Sequence, residues 1–117
     1  MSNTKSLFWP SRPSTISETH DQEFLIFLRM MSKKGFYSLL NYIKEEENVS
    51  YNQALKYAID KKIVESNASI TIILNGLTNL ALLERSVINS RPVRTNYKVT
   101  KSGNHVIKSF KDLQSFF

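Results

Sequence analysis

The feature that most constrains the fold is a pair of alternating segments in the last third of the chain. They cover about residues 82–89 and 93–100, and a short turn containing Pro92 joins them. Apolar residues recur with the period of a β-strand along the second segment, and the first is a strand-like segment of similar length, so the sequence predicts a β-hairpin at about 82–100. Helical periodicity lies on both sides of this hairpin. The expected fold class is therefore α+β, mainly α with one small β-hairpin.

The positive charge of the chain is concentrated in the same region. Of 16 Lys and Arg against 10 Asp and Glu, residues 1–81 hold nine against eight, and residues 82–117 hold seven against two. Between Arg85 and Lys101 there are five cations and no acid. A lone Lys-rich stretch is usually a solvated surface, but one-sided charge on a hairpin is typical of a surface that binds phosphate.

Apolar spacing predicts helices through most of the rest of the chain. Residues 1–18 contain Pro10 and Pro13 and are expected to form a flexible tail, which leaves 19–117 as a single domain. Ser50 is a plausible N-cap, and so are Ser66 and Asn67. The predicted helices cover about residues 23–31, 36–47, 51–62, 66–80 and 101–115.

The helix at 66–80 has one competing interpretation. Its β-branched run at 69–73 also has strand propensity, but the cap before it and the leucine spacing after it favour a helix. Gly76 inside this helix costs about 1 kcal/mol relative to alanine. We therefore expect another part of the chain to pack closely against Gly76.

Two motifs flank the hairpin and carry a family resemblance. The first runs from Ser69 through Leu74 and Leu77 into Ala-Leu-Leu-Glu-Arg at 81–85. The second is Pro-x-x-x-x-Tyr-x-Val-Thr-x-x-Gly at 92–103. In this order, and with the three predicted helices of residues 36–80 before the hairpin, they resemble the winged helix-turn-helix of prokaryotic or archaeal transcription regulators of the HxlR, PadR and MarR-like groups. The resemblance covers about residues 36–110.

The resemblance implies a winged helix-turn-helix with an extra N-terminal and a C-terminal helix. The helix at 66–80 would then be the recognition helix in the major groove of double-stranded DNA, and the hairpin would be a basic wing on the backbone or minor groove. The protein would be a dimeric transcription regulator. The residues expected on the DNA are Asn67, Ser69, Thr71, Ile72 and Asn75 in the helix, with Arg85, Arg91, Arg94, Lys98 and Lys101 in and after the wing.

The side chains of the helix set which bases it could contact. Asparagine pairs with adenine, and isoleucine can touch a thymine methyl group, whereas the absence of Arg and Lys from this helix disfavours guanine. Alternatives remain at several of these positions. Ser66 and Asn67 could act as caps alone, Ile72 and Ile73 could be core or dimer contacts, and Arg85 could pair with Glu84.

Other classes of function have little support in the sequence. Cysteine is absent, the two histidines lie in different parts of the chain and are each expected to be exposed, and no glycine-rich phosphate loop occurs. We therefore expect no enzyme, metal or cofactor. The longest apolar runs are far shorter than a bilayer span, so a cytoplasmic, nucleoid-associated protein without membrane contact is expected.

The partners expected are double-stranded DNA and a second copy of the chain. The homodimer would form through the N-terminal helix and the apolar end of the C-terminal helix. Two other functions of the same fold stay open. One is an architectural or replication and partition protein with little sequence preference, and the other is a protein-interaction module whose contact surface is formed by Phe8, Trp9 and the apolar helices.

Overall fold

The structure, a computed structural model, describes residues 18–117 and contains five helices and three strands within them. The fold class predicted above is confirmed, and the strand alternative for 69–73 is wrong. The predicted tail, with Phe8 and Trp9, lies outside the described residues except for its last residue. The elements are α1 (Glu18–Met31), α2 (Phe36–Glu46), β1 (Val49–Ser50), α3 (Tyr51–Asp60), α4 (Asn67–Asn79), β2 (Leu83–Ile88), β3 (Arg94–Val99) and α5 (Lys101–Gln114).

Two elements differ from the predictions. Helix α1 begins five residues before its predicted start, because the polar residues 18–22 carry no apolar period that would mark a helix. Strand β1 was not predicted, since two residues are too few to show alternation. Val49 of β1 pairs with Tyr97 of β3, which makes a three-stranded antiparallel sheet in the order β1-β3-β2.

The core lies between α2 and α4. The apolar stripes of both helices are buried, and Gly76 of α4 faces the ring of Phe36 in α2. A methyl group on Gly76 would lie 2.8 Å from Cε2 of Phe36, so the expected close packing at this glycine is confirmed. The fully buried large side chains of the two helices are Leu39, Leu40, Ile43, Ile70, Leu74 and Leu77.

The helix-turn-helix consists of α3, a turn at 61–66 and α4. Ser50 caps α3 as predicted, through a reciprocal capping box with Gln53 in which both hydrogen bonds are present. At the other end, the Ile63 N–H donates to the carbonyl of Ala58 at 2.8 Å. Lys62 takes the left-handed conformation, with φ 59°, that glycine usually supplies in such a Schellman turn. The turn therefore closes without a glycine.

Thr100 joins the end of α4 to the start of α5. Its hydroxyl donates to the carbonyl of Ala81 at 2.7 Å and accepts from the N–H of Gly103 at 3.0 Å, while its own N–H donates to the carbonyl of Leu82 at 3.0 Å. Gly103 lies directly against the Leu82 carbonyl because it has no Cβ. The Thr-x-x-Gly part of the second sequence motif therefore holds α5 against the base of the hairpin.

Candidate nucleic-acid interface

Helix α4 has one buried face and one open face. The residues that share the open face are spaced three and four apart, as one stripe of an α-helix requires. Among those predicted to contact DNA, Thr71, Ile72 and Asn75 lie on this stripe, and Asn67 stands at its N-terminal end. The exposed residues of the stripe are Ala68, Thr71, Ile72, Asn75 and Asn79. No residue from Asn67 to Asn79 carries a charge.

Internal hydrogen bonds engage both hydroxyl groups that were expected on the DNA. The half-buried Ser69 lies with its Oγ 3.2 Å from Oγ of Ser66, which caps the helix as predicted by accepting from the Ser69 N–H. Thr71 Oγ1 donates to the carbonyl of Asn67 at 3.0 Å and lies 3.0 Å from the hydroxyl of Tyr51 in α3. Ser69 and Thr71 therefore help to fix α4 in place, and Tyr51 links the two helices of the helix-turn-helix.

The two consecutive isoleucines of α4 have opposite environments. Ile73 is 5% exposed and belongs to the core, as the alternative interpretation proposed. Ile72 is 66% exposed, so it is not a core residue. Each residue turns the helix by about 100°, which places the pair on different faces although their sequence context is almost the same.

The wing, which comprises β2, β3 and the turn between them, presents its cations on two faces. Arg94 and Lys98 lie four residues apart on β3 and therefore share one face, whereas Arg85 is opposite the buried Tyr97 on the other face. Lys98 is directly opposite Glu84, an acid on the same face. The spacing of Arg94 and Lys98 gives their shared face, but the sequence could not relate Arg85 to them, because that relation follows from the register between β2 and β3.

All five predicted cations are exposed, and none forms an ion pair within the part of the chain that the structure describes. The alternative pairing of Arg85 with Glu84 does not occur there, since consecutive residues of β2 point to opposite faces. Arg91 belongs to the turn at the wing tip, and Lys101 is the first residue of α5. Exposed cations without acidic partners are available to an external anion.

A groove of about 430 Å³ separates the wing tip from the N-terminus of α3. Sequence reasoning did not find this contribution of α3, because the capping pattern at Ser50 predicts where the helix starts but not what lies beside it. The pairing of Ser50 with Asn96 brings the two parts together. The groove is lined by Ser50, Tyr51, Asn52, Pro92, Val93, Arg94 and Thr95.

Within 18–117, no group of three or more His, Asp or Glu side chains is placed to hold a metal ion. None of the described helices is both long and apolar enough to cross a membrane.

Comparison with known proteins identifies the fold. No family model matches the chain, and no curated protein sequence does. A MarR-family protein from Enterococcus faecalis V583 superimposes with a TM-score of 0.67 at 16% identity, over 91% of this chain and 90% of that one. The reduced form of the transcriptional regulator YodB from B. subtilis gives 0.66 at 15% identity, over 87% and 91%. The chain has the winged helix-turn-helix fold.

A third similar structure contains DNA. Streptococcus pneumoniae FabT in complex with DNA superimposes with a TM-score of 0.54 at 17% identity, over 84% of this chain and 71% of FabT. At such identities the likeness concerns the fold, and function has to be argued from the residues of the site.

Proposed function

We propose that this protein is a transcription regulator that binds double-stranded DNA, with α4 in the major groove and the wing on the backbone or minor groove. The observation that carries the proposal is the open, uncharged polar face of α4 on the same small domain as a wing of exposed, unpaired cations. The major groove admits one helix, and base edges there pair with amide side chains. The FabT complex supports the proposal, since a protein of this fold binds DNA.

The groove between the wing tip and α3 supports a phosphate contact. Arg94 and the first turn of α3 line the same groove. A guanidinium group suits a phosphate oxygen, and a helix N-terminus favours negative charge. A DNA backbone that follows this groove would leave α4 beside the bases.

A regulator that binds chromosomal DNA in this way would act in the cytoplasm, on the nucleoid.

An architectural protein of low sequence specificity is the second candidate. It is favoured by one observation, namely that α4 carries no Arg or Lys to read guanine. In that case most of the binding free energy would come from phosphate contacts of the wing, and every duplex would bind equally well.

Fluorescence anisotropy on two duplexes separates these candidates. We expect the protein to bind a duplex from its own upstream region at least about tenfold more tightly than a random duplex, since one good base contact contributes about 1.4 kcal/mol or more. Equal affinity for both duplexes would favour the architectural role. Failure to bind either would leave a protein-interaction module as the remaining function of this fold.

The DNA-binding form is proposed to be a homodimer held by α1 and α5. Both helices join one aromatic cluster, in which Phe27 contacts Phe110 with ring centroids 6.0 Å apart. Six apolar side chains on either side of that cluster are about half-exposed or more. Together they expose more apolar surface than a monomer of this size needs. They are Phe24, Leu25 and Ile26 in α1, and Leu113, Phe116 and Phe117 in or after α5.

The dimer can be tested by solution mass. We expect the wild-type protein at micromolar concentration to sediment as a dimer and Leu25→Glu to sediment as a folded monomer, because a charge at a buried apolar contact costs several kcal/mol. The control is Ile59→Glu, which changes a similarly exposed isoleucine of α3 and should leave the dimer intact. A wild-type monomer at this concentration would refute the proposed dimer.

A further inference from the structure

We infer that Ile72 reads the methyl group of a thymine, so that α4 selects A·T base pairs in the major groove. The inference rests on the proposed DNA-binding function and adds to it the class of base pair that the recognition helix selects.

The first argument is the exposure of Ile72. Its side chain is 66% exposed, whereas Ile70 and Ile73 of the same helix are buried. It stands in the middle of the open stripe, between polar side chains. A helix in the major groove meets base edges that are almost wholly polar, and the methyl group of thymine is the apolar feature that they offer. Ile72 therefore has one complementary partner there.

The second argument is the chemistry that α4 lacks. It has neither Arg nor Lys, which pair with guanine, and neither Asp nor Glu, which accept from cytosine. The hydroxyls of Ser69 and Thr71 are engaged within the protein. The polar side chains left at the N-terminal and central part of the open face are Asn67 and Asn75, and asparagine pairs bidentately with adenine.

The third argument is spacing. Ile72 and Asn75 are separated by three residues, which is about 4.5 Å along the helix axis. Successive base pairs of B-DNA are about 3.4 Å apart. The two side chains therefore reach the same or neighbouring base pairs, and the recognised core should contain a thymine that is paired with the adenine that Asn75 contacts or lies next to it.

Replacement of thymine by uracil tests the inference because it removes only the methyl group and keeps base pairing. The probe is a duplex that is selected from a random pool by its binding to the full chain. Each thymine of this duplex is then replaced in turn by deoxyuridine. We expect one position in the part of the duplex that each protomer contacts at which the replacement weakens wild-type binding about fourfold, the effect of one methyl group leaving an apolar contact. Ile72→Ala should bind the thymine and uracil duplexes equally.

The control for the substitution is Ile59→Ala, an exposed isoleucine of α3 that should keep the full response to uracil. Ile72→Ala leaves the core intact, and its melting temperature verifies that it is folded. A recovered core of G·C pairs, no response to uracil at any position, or an unchanged response in Ile72→Ala would each overturn the inference and leave DNA binding standing. Absence of binding to every duplex would instead remove the proposed function, and this inference with it.

Discussion

The affinity for duplex DNA is expected to fall about 10³-fold between roughly 50 and 200 mM salt. The slope of log affinity against log salt concentration should be much smaller for Arg91→Ala/Arg94→Ala. Each protomer presents five exposed cations that have no ion pair among the described residues. A dimer that places most of them on phosphates would make six or more contacts and release a counterion at each. We expect the double substitution to lower the slope by about two per protomer and to weaken binding about a hundredfold or more.

The structure explains why these two arginines should matter most within the wing. Arg91 is at the tip, and Arg94 lines the groove beside α3. Lys98 has Glu84 opposite it on the same face, and Arg85 lies on the other face of the hairpin. Their single alanine variants should therefore reduce the slope less than Arg91→Ala or Arg94→Ala does.

A variant with the same loss of charge controls for the overall field of the protein. Lys33→Ala/Lys44→Ala removes two exposed cations that lie outside the wing, outside α4 and outside the two helices of the proposed dimer. Anisotropy titrations over a salt series should give this control a slope close to that of the wild type. If it reduced the slope as much as the wing variant does, the net charge of the chain and not the wing would govern binding.

The hairpin and the helices could be predicted because their signals are local. The capping residue Ser50, for example, marks a helix start by itself, whereas the bond from Thr100 to the carbonyl of Ala81 was not predicted. The short strand β1 and the face of the hairpin on which Arg85 lies could not be predicted from the sequence. Both depend on pairing with residues more than ten positions away.

The candidate interface was predictable only as a set of positions. Helical spacing brought Thr71 and Asn75 to one face, but the bond between Thr71 and Tyr51 joins residues of different helices. No sequence pattern shows that such a hydroxyl is already engaged. The same limit applies to Ile72 and Ile73. Their side chains are identical, and only the packing of the whole core shows that Ile73 is buried and Ile72 is exposed.

Gly103→Ala is expected to produce the largest loss of stability of the substitutions considered. Its new Cβ would meet the Leu82 carbonyl oxygen and would lie 2.6 Å from Cγ1 of Val99. The Leu82 carbonyl cannot move away easily, because it belongs to the backbone and accepts a hydrogen bond from the Thr100 N–H. The Val99 methyl group cannot do so either, because it belongs to a short β-branched side chain. Because both neighbours are held in place, the overpacking should cost close to the upper end of about 1–3 kcal/mol, and the better helix propensity of alanine at position 103 offsets up to about 1 kcal/mol. We expect a net loss near 2 kcal/mol and a melting temperature about 10 °C lower.

Ser102→Ala is the matched control, one residue away in the same helical turn. Ser102 is buried, and within the described residues its hydroxyl has no hydrogen-bond partner. Its removal should change the free energy of unfolding by less than about 1 kcal/mol and could raise it. Urea unfolding followed by circular dichroism measures both variants. If Gly103→Ala had the same free energy of unfolding as the wild type, the close packing of α5 against Leu82 would be contradicted.

The stability variant and the wing variant should separate folding from binding. Arg91 and Arg94 are exposed and make no ion pair among the described residues, so their removal should weaken DNA binding without lowering the melting temperature. Gly103 lies behind the wing and touches no exposed cation of its tip. Below its melting transition, Gly103→Ala should therefore bind DNA with nearly wild-type affinity. Loss of binding in a folded Gly103→Ala protein would mean that the packing of α5 sets the position of the wing.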